Sequence, residues 1–142
     1  MSTRCQIGFY PTKETDIEDY VILIYKHKDG YPKIVLPVIK SVIKKFSEYN
    51  DFSSYEYLSA WILYEFMSNH VELNAEKDIY ITKLNIENDK IPAKDLLGYG
   101  ISNNRHLDIS YFYGVFPDRI DVFETGNYVN VYEWNKIQTI NI

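Results

Sequence analysis

Cysteine is almost absent. Cys5 stands alone in 142 residues, which excludes an intramolecular disulfide and suits a reducing interior. Arginine is nearly as scarce, at Arg4, Arg105 and Arg119, and histidine is confined to His27, His70 and His106. With no HxxxH or CxxC spacing among them, no transition-metal site is expected. No apolar run approaches the roughly 20 residues that a membrane helix needs. The opening MSTRCQIGFYPTKETD also lacks the apolar core of a secretion signal. Positive charge is in deficit: the formal charge of −5 argues against binding DNA or RNA polymers, which depends on a basic surface. A Gly-rich phosphate loop is missing, Gly98-Tyr99-Gly100 being only a fragment of one. These absences predict a soluble cytosolic protein without a metal, a cofactor or a membrane partner. They leave room for a local basic pocket that holds a small anion.

Aromatic residues are abundant instead. Fourteen tyrosines supply rigid apolar faces with polar tips, as useful in a core as on a binding surface. A drift in composition towards Asn, Ile, Lys and Tyr explains them equally well. The length and the apolar content predict one folded α+β domain over residues 1–142, with a core that needs no disulfide or metal.

TRCQIGFY (Thr3–Tyr10) and DYVILIYK (Asp19–Lys26) read as the strands of a hairpin. Asp29-Gly30-Tyr31-Pro32 then makes a strand-to-helix corner, with Asp29 as a cap for the turn or the helix. The first helix sets Val35, Val38, Ile39, Val42 and Phe46 on one face, with Lys40, Lys44 and Lys45 outside. Pro37 fits only its first turn. Ser53-Ser54-Tyr55-Glu56 has capping-box spacing and opens a second helix to about Asn69. Its segment AWILYEFM is apolar around most of its circumference, so it is either sandwiched inside the fold or shared with another subunit. DIYITKLNI (Asp78–Ile86) reads as a strand, and ENDKIPAKDLLG as a connection. An antiparallel meander follows: YGIS, LDISYFYGVF, RIDVFE and NYVNVYEW, with turns at Pro117-Asp118 and Thr125-Gly126-Asn127. In the long strand Ile109, Tyr111, Tyr113 and Val115 share one face, and Phe112 and Phe116 the other. The expected architecture is an antiparallel sheet, N-terminal hairpin plus C-terminal meander, packed with two helices.

Gly98 to Tyr113 carries the chemistry. Asn103, Asn104, Arg105, His106 and Asp108 put amides, a guanidinium, an imidazole and a carboxylate in one loop that enters an aromatic strand. Arginine pairs with phosphate in a fixed fork, asparagine bonds base or ribose edges, and aromatic rings stack on bases. The same residues also read as an ordinary solvated loop whose tyrosines pack in a core. His106 with Asp108 suggests, alternatively, a general acid–base pair, because a carboxylate can orient an imidazole. His27, Asp29 and Tyr31 form a second group, beside a helix N-terminus whose free N–H groups favour an anion. Arg4 faces the same pocket or is a surface charge.

STRCQIGFY, LIYKHKDGYP, GYGIS and LDISYFYGV together resemble small phage proteins of the Thoeris anti-defence sponge family, the first such family described. The similar blocks are short and scattered over most of the chain. The resemblance implies a phage-encoded protein of the host cytoplasm that binds a cyclic ADP-ribose isomer made by TIR-domain enzymes and sequesters it without cleavage. It also implies a symmetric homo-oligomer and uptake of cyclic oligonucleotides. Such proteins hold the ligand with arginines on phosphates and with an aromatic ring and an asparagine near the base. The available pieces here are Arg105, Asn103 or Asn104, Tyr111, Tyr113 and Arg119, with His106, Asp108 and Arg4 nearby. A family arginine contributed by a helix has no counterpart, since these helices contain none. Two rivals remain on the residues alone: a phosphodiesterase-like enzyme using His106 and Asp108, and an inhibitor that grips a host protein through exposed tyrosines.

Overall fold

The structure is a computed structural model that describes residues 3–48, 54–74, 78–83, 98–126 and 128–142. Its elements run β1 (Cys5–Phe9), β2 (Ile22–Lys26), α1 (Pro32–Ser47), α2 (Tyr55–Ser68), β3 (Asn69–Asn74), β4 (Asp78–Lys83), β5 (Tyr99–Ser102), β6 (Tyr111–Val115), β7 (Arg119–Glu124) and β8 (Asn135–Asn141). Six strands form one sheet in the order β5-β2-β1-β6-β7-β8, while β3 and β4 pair separately. The class is α+β.

The sheet is mixed, which corrects the expectation of a purely antiparallel one. β1 pairs with β2 antiparallel, as the hairpin predicts, but runs parallel to β6 from Cys5↔Tyr111 to Phe9↔Val115. Parallel neighbours need a long crossover. Here that crossover contains both helices, which lie on one face of the sheet. Period-two alternation then divides the strands between two cores. Cys5, Ile7, Phe9, Ile24, Tyr113, Val115, Ile120 and Val122 pack beneath the helices. Tyr10, Leu23, Phe112, Phe116 and Phe123 point the other way, under a cover that includes Ile109, Val131 and Trp134.

The N-terminal corner is set by backbone contact. Asp29 takes a positive φ of 51°, a region open to Asp more than to most side chains. Gly30 donates to the Thr3 carbonyl at 2.8 Å. Tyr31, not Asp29, is the N-cap of α1, and Pro32 occupies the first turn, where its missing N–H costs nothing. Because α1 starts at Pro32, Pro37 falls in the second turn, one turn later than expected, and forgoes an amide bond to the carbonyl four residues earlier. Of the apolar stripe read for α1, Val35, Val38, Ile39 and Val42 are buried and Phe46 partly so, with Lys40, Lys44 and Lys45 exposed.

Three further boundaries differ. The expected strand LDISYFYGVF begins only at Tyr111, because the Ser110 and Tyr111 amides both turn to the Arg4 carbonyl. Ile109 consequently joins Phe112 and Phe116 rather than Tyr113. Residues 128–134 of the expected strand NYVNVYEW do not form a strand. Asn130 accepts from the Tyr132 amide at 3.0 Å and caps a 3-10 turn over Val131–Glu133, so the last strand comes later, as β8. Helix α2 stops at Ser68, and Asn69 already opens β3, which the sequence reading missed. Its N-cap is Ser54, whose side chain makes no capping bond, while Ser53 lies outside the described residues. The same is true of 84–86 of the strand predicted from Asp78, of 87–97 of the connection after it, and of Asn127.

Candidate ligand site on the sheet face away from the helices

The site grows from one polar residue on an apolar strand. Gln6 sits in β1 between Cys5 and Ile7 and is fully buried, so its amide must find partners. Its nitrogen donates to the Asn104 carbonyl at 3.1 Å, and its oxygen accepts from the His106 amide at 2.9 Å. The backbone on both sides of Arg105 is thereby clamped to the central strand. Side chains i and i+2 of a strand share a face, so Arg4 emerges beside Gln6.

Arg4 reaches Asp108 with an Nη1–Oδ2 distance of 2.8 Å. The His106 ring stacks on Tyr25 at a centroid distance of 4.4 Å and 17° between planes. Its Nδ1 lies 3.8 Å from Asp108 Oδ1, and its Nε2 lies 3.5 Å from Ser102 Oγ. The Tyr25 hydroxyl meets His27 Nδ1 at 2.9 Å. Burial raises the Tyr25 hydroxyl pKa; Arg4 opposes that shift and Asp108 adds to it. Arg4, His106 and Asp108 of the predicted set therefore do come together, joined by Tyr25 and His27.

Arg105 turns the other way. Its guanidinium lies over the Trp134 ring, 5.6 Å from the centroid, a cation–π arrangement. One guanidinium nitrogen on each of Arg105 and Arg4 is buried without a hydrogen-bond acceptor, Nη1 and Nε respectively. Asn103 and Asn104 are exposed on the same loop, leaving their side-chain amides accessible. Trp134 is held by its indole N–H, which donates to the Tyr128 carbonyl at 3.1 Å, and by packing on Phe112 and Phe123.

Trp134 also lines a cleft of about 470 Å³ that continues along this face to Arg119. That volume falls in the range of small-molecule sites. Arg119 is already occupied. It lies over Phe116 at 4.0 Å and reaches Asp121 at 3.0 Å, Asp118 at 2.9 Å and the Lys13 carbonyl at 3.0 Å. Burial alone would lower its pKa, but the bond and charge of Asp121, followed by those of Asp118, hold it above the ordinary value. Asp121 is itself buried, bonded by Thr139 at 2.9 Å, with Lys136 at 3.7 Å. Across the mouth, the Tyr132 hydroxyl donates to Asp16 at 2.8 Å.

Two predicted ligand residues lie on the opposite, helix-covered face. Tyr113 is fully buried and donates to the Gly30 carbonyl at 2.6 Å. Tyr111 is half-buried, with its ring centroid 6.1 Å from that of Tyr31. Period-two alternation keeps Tyr111 and Tyr113 on one face, as the sequence reading has it, and that face is the one beneath the helices. Sequence reading missed Gln6, Tyr25 and Trp134; a lone polar residue inside CQIGF was the available signal for the first. Among the described residues, no group of three His, Cys, Asp or Glu side chains could hold a metal ion, and no helix is long and apolar enough to cross a membrane. No known protein family, curated protein or solved structure matches the chain.

Proposed function

We propose that this protein is a phage anti-defence protein that captures a cyclic ADP-ribose isomer and withholds it intact, using the side of the sheet away from the helices. The observation that carries the reading is the Arg105 guanidinium: fixed over Trp134, clamped through its backbone by Gln6, and keeping a buried nitrogen without an acceptor. A buried cationic donor without a partner is costly unless an anion completes it. Arg4 presents a second such nitrogen beside the same clamp, which suits a ligand carrying two phosphates. Trp134 and Tyr25 offer ring faces, and Asn103 and Asn104 offer amides for a base or ribose. The resemblance of STRCQIGFY, LIYKHKDGYP, GYGIS and LDISYFYGV to the Thoeris sponge family supplies the ligand class, with cyclic oligonucleotides as further cargo. Rigid, prepaired contacts favour tight holding, because little ordering remains for the ligand to impose.

The purified protein should deplete a cyclic ADP-ribose isomer from solution and release it unchanged on heating. Recovery of linear ADP-ribose would instead support a hydrolase. That second reading rests on His106, flanked by Asp108 and Ser102 at 3.8 and 3.5 Å. Both separations are longer than a working nucleophile–base–carboxylate line, and Arg4 already occupies one Asp108 oxygen. His106→Ala separates the two: a hydrolase loses turnover, a binder at most affinity.

A further inference from the structure

Arg4 and Arg105 are not equally available to an anion. Arg105 lies over Trp134 and keeps Nη1 buried without an acceptor. On Arg4 the nitrogen without an acceptor is Nε, while Nη1 is already taken by Asp108 Oδ2 at 2.8 Å. A carboxylate on a guanidinium makes the same kind of charge-assisted contact as a phosphate. Asp108 therefore stands where a second phosphate would compete for Arg4. That carboxylate also has an alternative neighbour. Its other oxygen, Oδ1, lies 3.8 Å from Nδ1 of His106, too far for a hydrogen bond but near enough for charge to act. The histidine cannot easily move, because Gln6 holds its amide at 2.9 Å and its ring lies flat on Tyr25. Asp108 is more than half exposed, so the carboxylate is the part that can shift.

We infer that Asp108 is a built-in competitor for the ligand, held on Arg4 while His106 is neutral and drawn off it when His106 is charged. This rests on the reading above, in which the face takes an anionic nucleotide. Arg4 and Asp108 stand beside the His106 ring, Tyr25 lies under it, and Ser102 Oγ is 3.5 Å from Nε2. His27 is one step further, bonded to the Tyr25 hydroxyl, and Arg105 turns away to Trp134. A neutral imidazole offers one N–H; the charged ring offers two, one for Asp108 and one for Ser102. The Tyr25 ring face also favours a cation lying on it. With His106 neutral, Arg4, Arg105 and Asp108 leave one net positive charge; charging the ring adds a second. Acid should thus tighten the grip on a phosphate, and alkali should loosen it.

Calorimetric titration of a cyclic ADP-ribose isomer between about pH 5 and pH 8, where histidine changes charge, tests this. The wild type should bind about fivefold more tightly at the acid end. It should also take up protons on binding, as reciprocal coupling requires. Asp108→Asn keeps the side-chain shape and removes the competing charge. At neutral pH it should bind about fivefold more tightly than wild type, the worth of one unit charge at a half-exposed site. His106→Gln should show the same affinity at both ends of the interval. Weaker binding by Asp108→Asn would make Asp108 a ligand contact and overturn the inference. So would a wild type indifferent to pH, or a pH dependence that survives His106→Gln. Absence of nucleotide binding at every pH counts against the proposed function, and inorganic sulfate, a dianion throughout this interval, then decides the inference. The Arg4 side-chain NMR signal should respond to sulfate more strongly in Asp108→Asn than in wild type at neutral pH. An equal response, or none in either protein, overturns it.

Discussion

The Tyr113 hydroxyl donates a 2.6 Å hydrogen bond to the Gly30 carbonyl, joining the middle of β6 to the corner that precedes α1. Eighty-three positions separate the two residues, and burial pushes the tyrosine pKa well above its ordinary value. Tyr113→Phe leaves a buried carbonyl without its partner, so about 1–3 kcal/mol of stability should be lost. Chemical denaturation checks the loss. Nucleotide affinity should not change, because Tyr113 faces the helices; an affinity loss with unchanged stability would move it into the ligand site.

Gly30 is fixed by space rather than by its dihedral angles. A Cβ there would stand 2.7 Å from Cys5 Cβ, 2.9 Å from the Cys5 nitrogen and 3.0 Å from the Arg4 carbonyl carbon. Two of those atoms are backbone and cannot swing aside. Gly30→Ala should therefore destabilise by about 1–3 kcal/mol, as overpacking does, with a lowered melting temperature as the readout. A neutral effect would mean that β1 and the corner are not in contact.

Cys5 should be inert. Burial pushes its thiol up to about 12, and the nearby Lys26 charge only partly offsets this. At neutral pH little thiolate forms, and none of it is accessible. A thiol-specific chromogenic reagent should label the native protein on the order of a thousandfold more slowly than the urea-unfolded chain. Comparable rates would place Cys5 at the surface.

The Tyr132–Asp16 bond across the cleft should respond to acid. The Asp16 carboxyl is held below its ordinary value of 3.8, first by the Glu18 amide and then by the Tyr132 hydroxyl. A depressed carboxyl stabilises the folded state fully above its ordinary pKa and loses that effect as pH falls through the folded value. The melting-temperature difference between wild type and Tyr132→Phe should thus hold through neutral pH and close below about pH 3.8. On the alkaline side, the Asp16 bond pushes Tyr132 up to about 12. Its contribution is complete below the ordinary tyrosine value and fades as pH rises towards 12. A difference unchanged from acid to alkali would show that the bond does not form.

Periodicity made much of the fold legible. The hairpin, the buried stripe of α1, β5 and β7 all follow from patterns a few residues long. The parallel union of β1 with β6 was not readable, because it depends on where the chain returns after two helices. Trp134 misled for a related reason: NYVNVYEW alternates like a strand, yet the Asn130 cap and the burial of the indole override that propensity. In the site, the loop chemistry was visible, but its division was not. Sequence placed Arg105, His106 and Asp108 together; the Gln6 clamp sends Arg105 to Trp134 and leaves His106 with Tyr25. Tyr111 and Tyr113 were assigned to a ligand wall because they follow the polar loop directly, yet their shared face lies beneath the helices.

The direct test is calorimetric titration of a cyclic ADP-ribose isomer into wild type and Arg105→Ala. Hydrogen bonds to a charged partner are worth about 1.5–3 kcal/mol, so binding should weaken about tenfold to more than a hundredfold, with no nucleotide cleaved in either sample. Equal affinity in the two proteins, or no heat of binding in the wild type, would contradict the account.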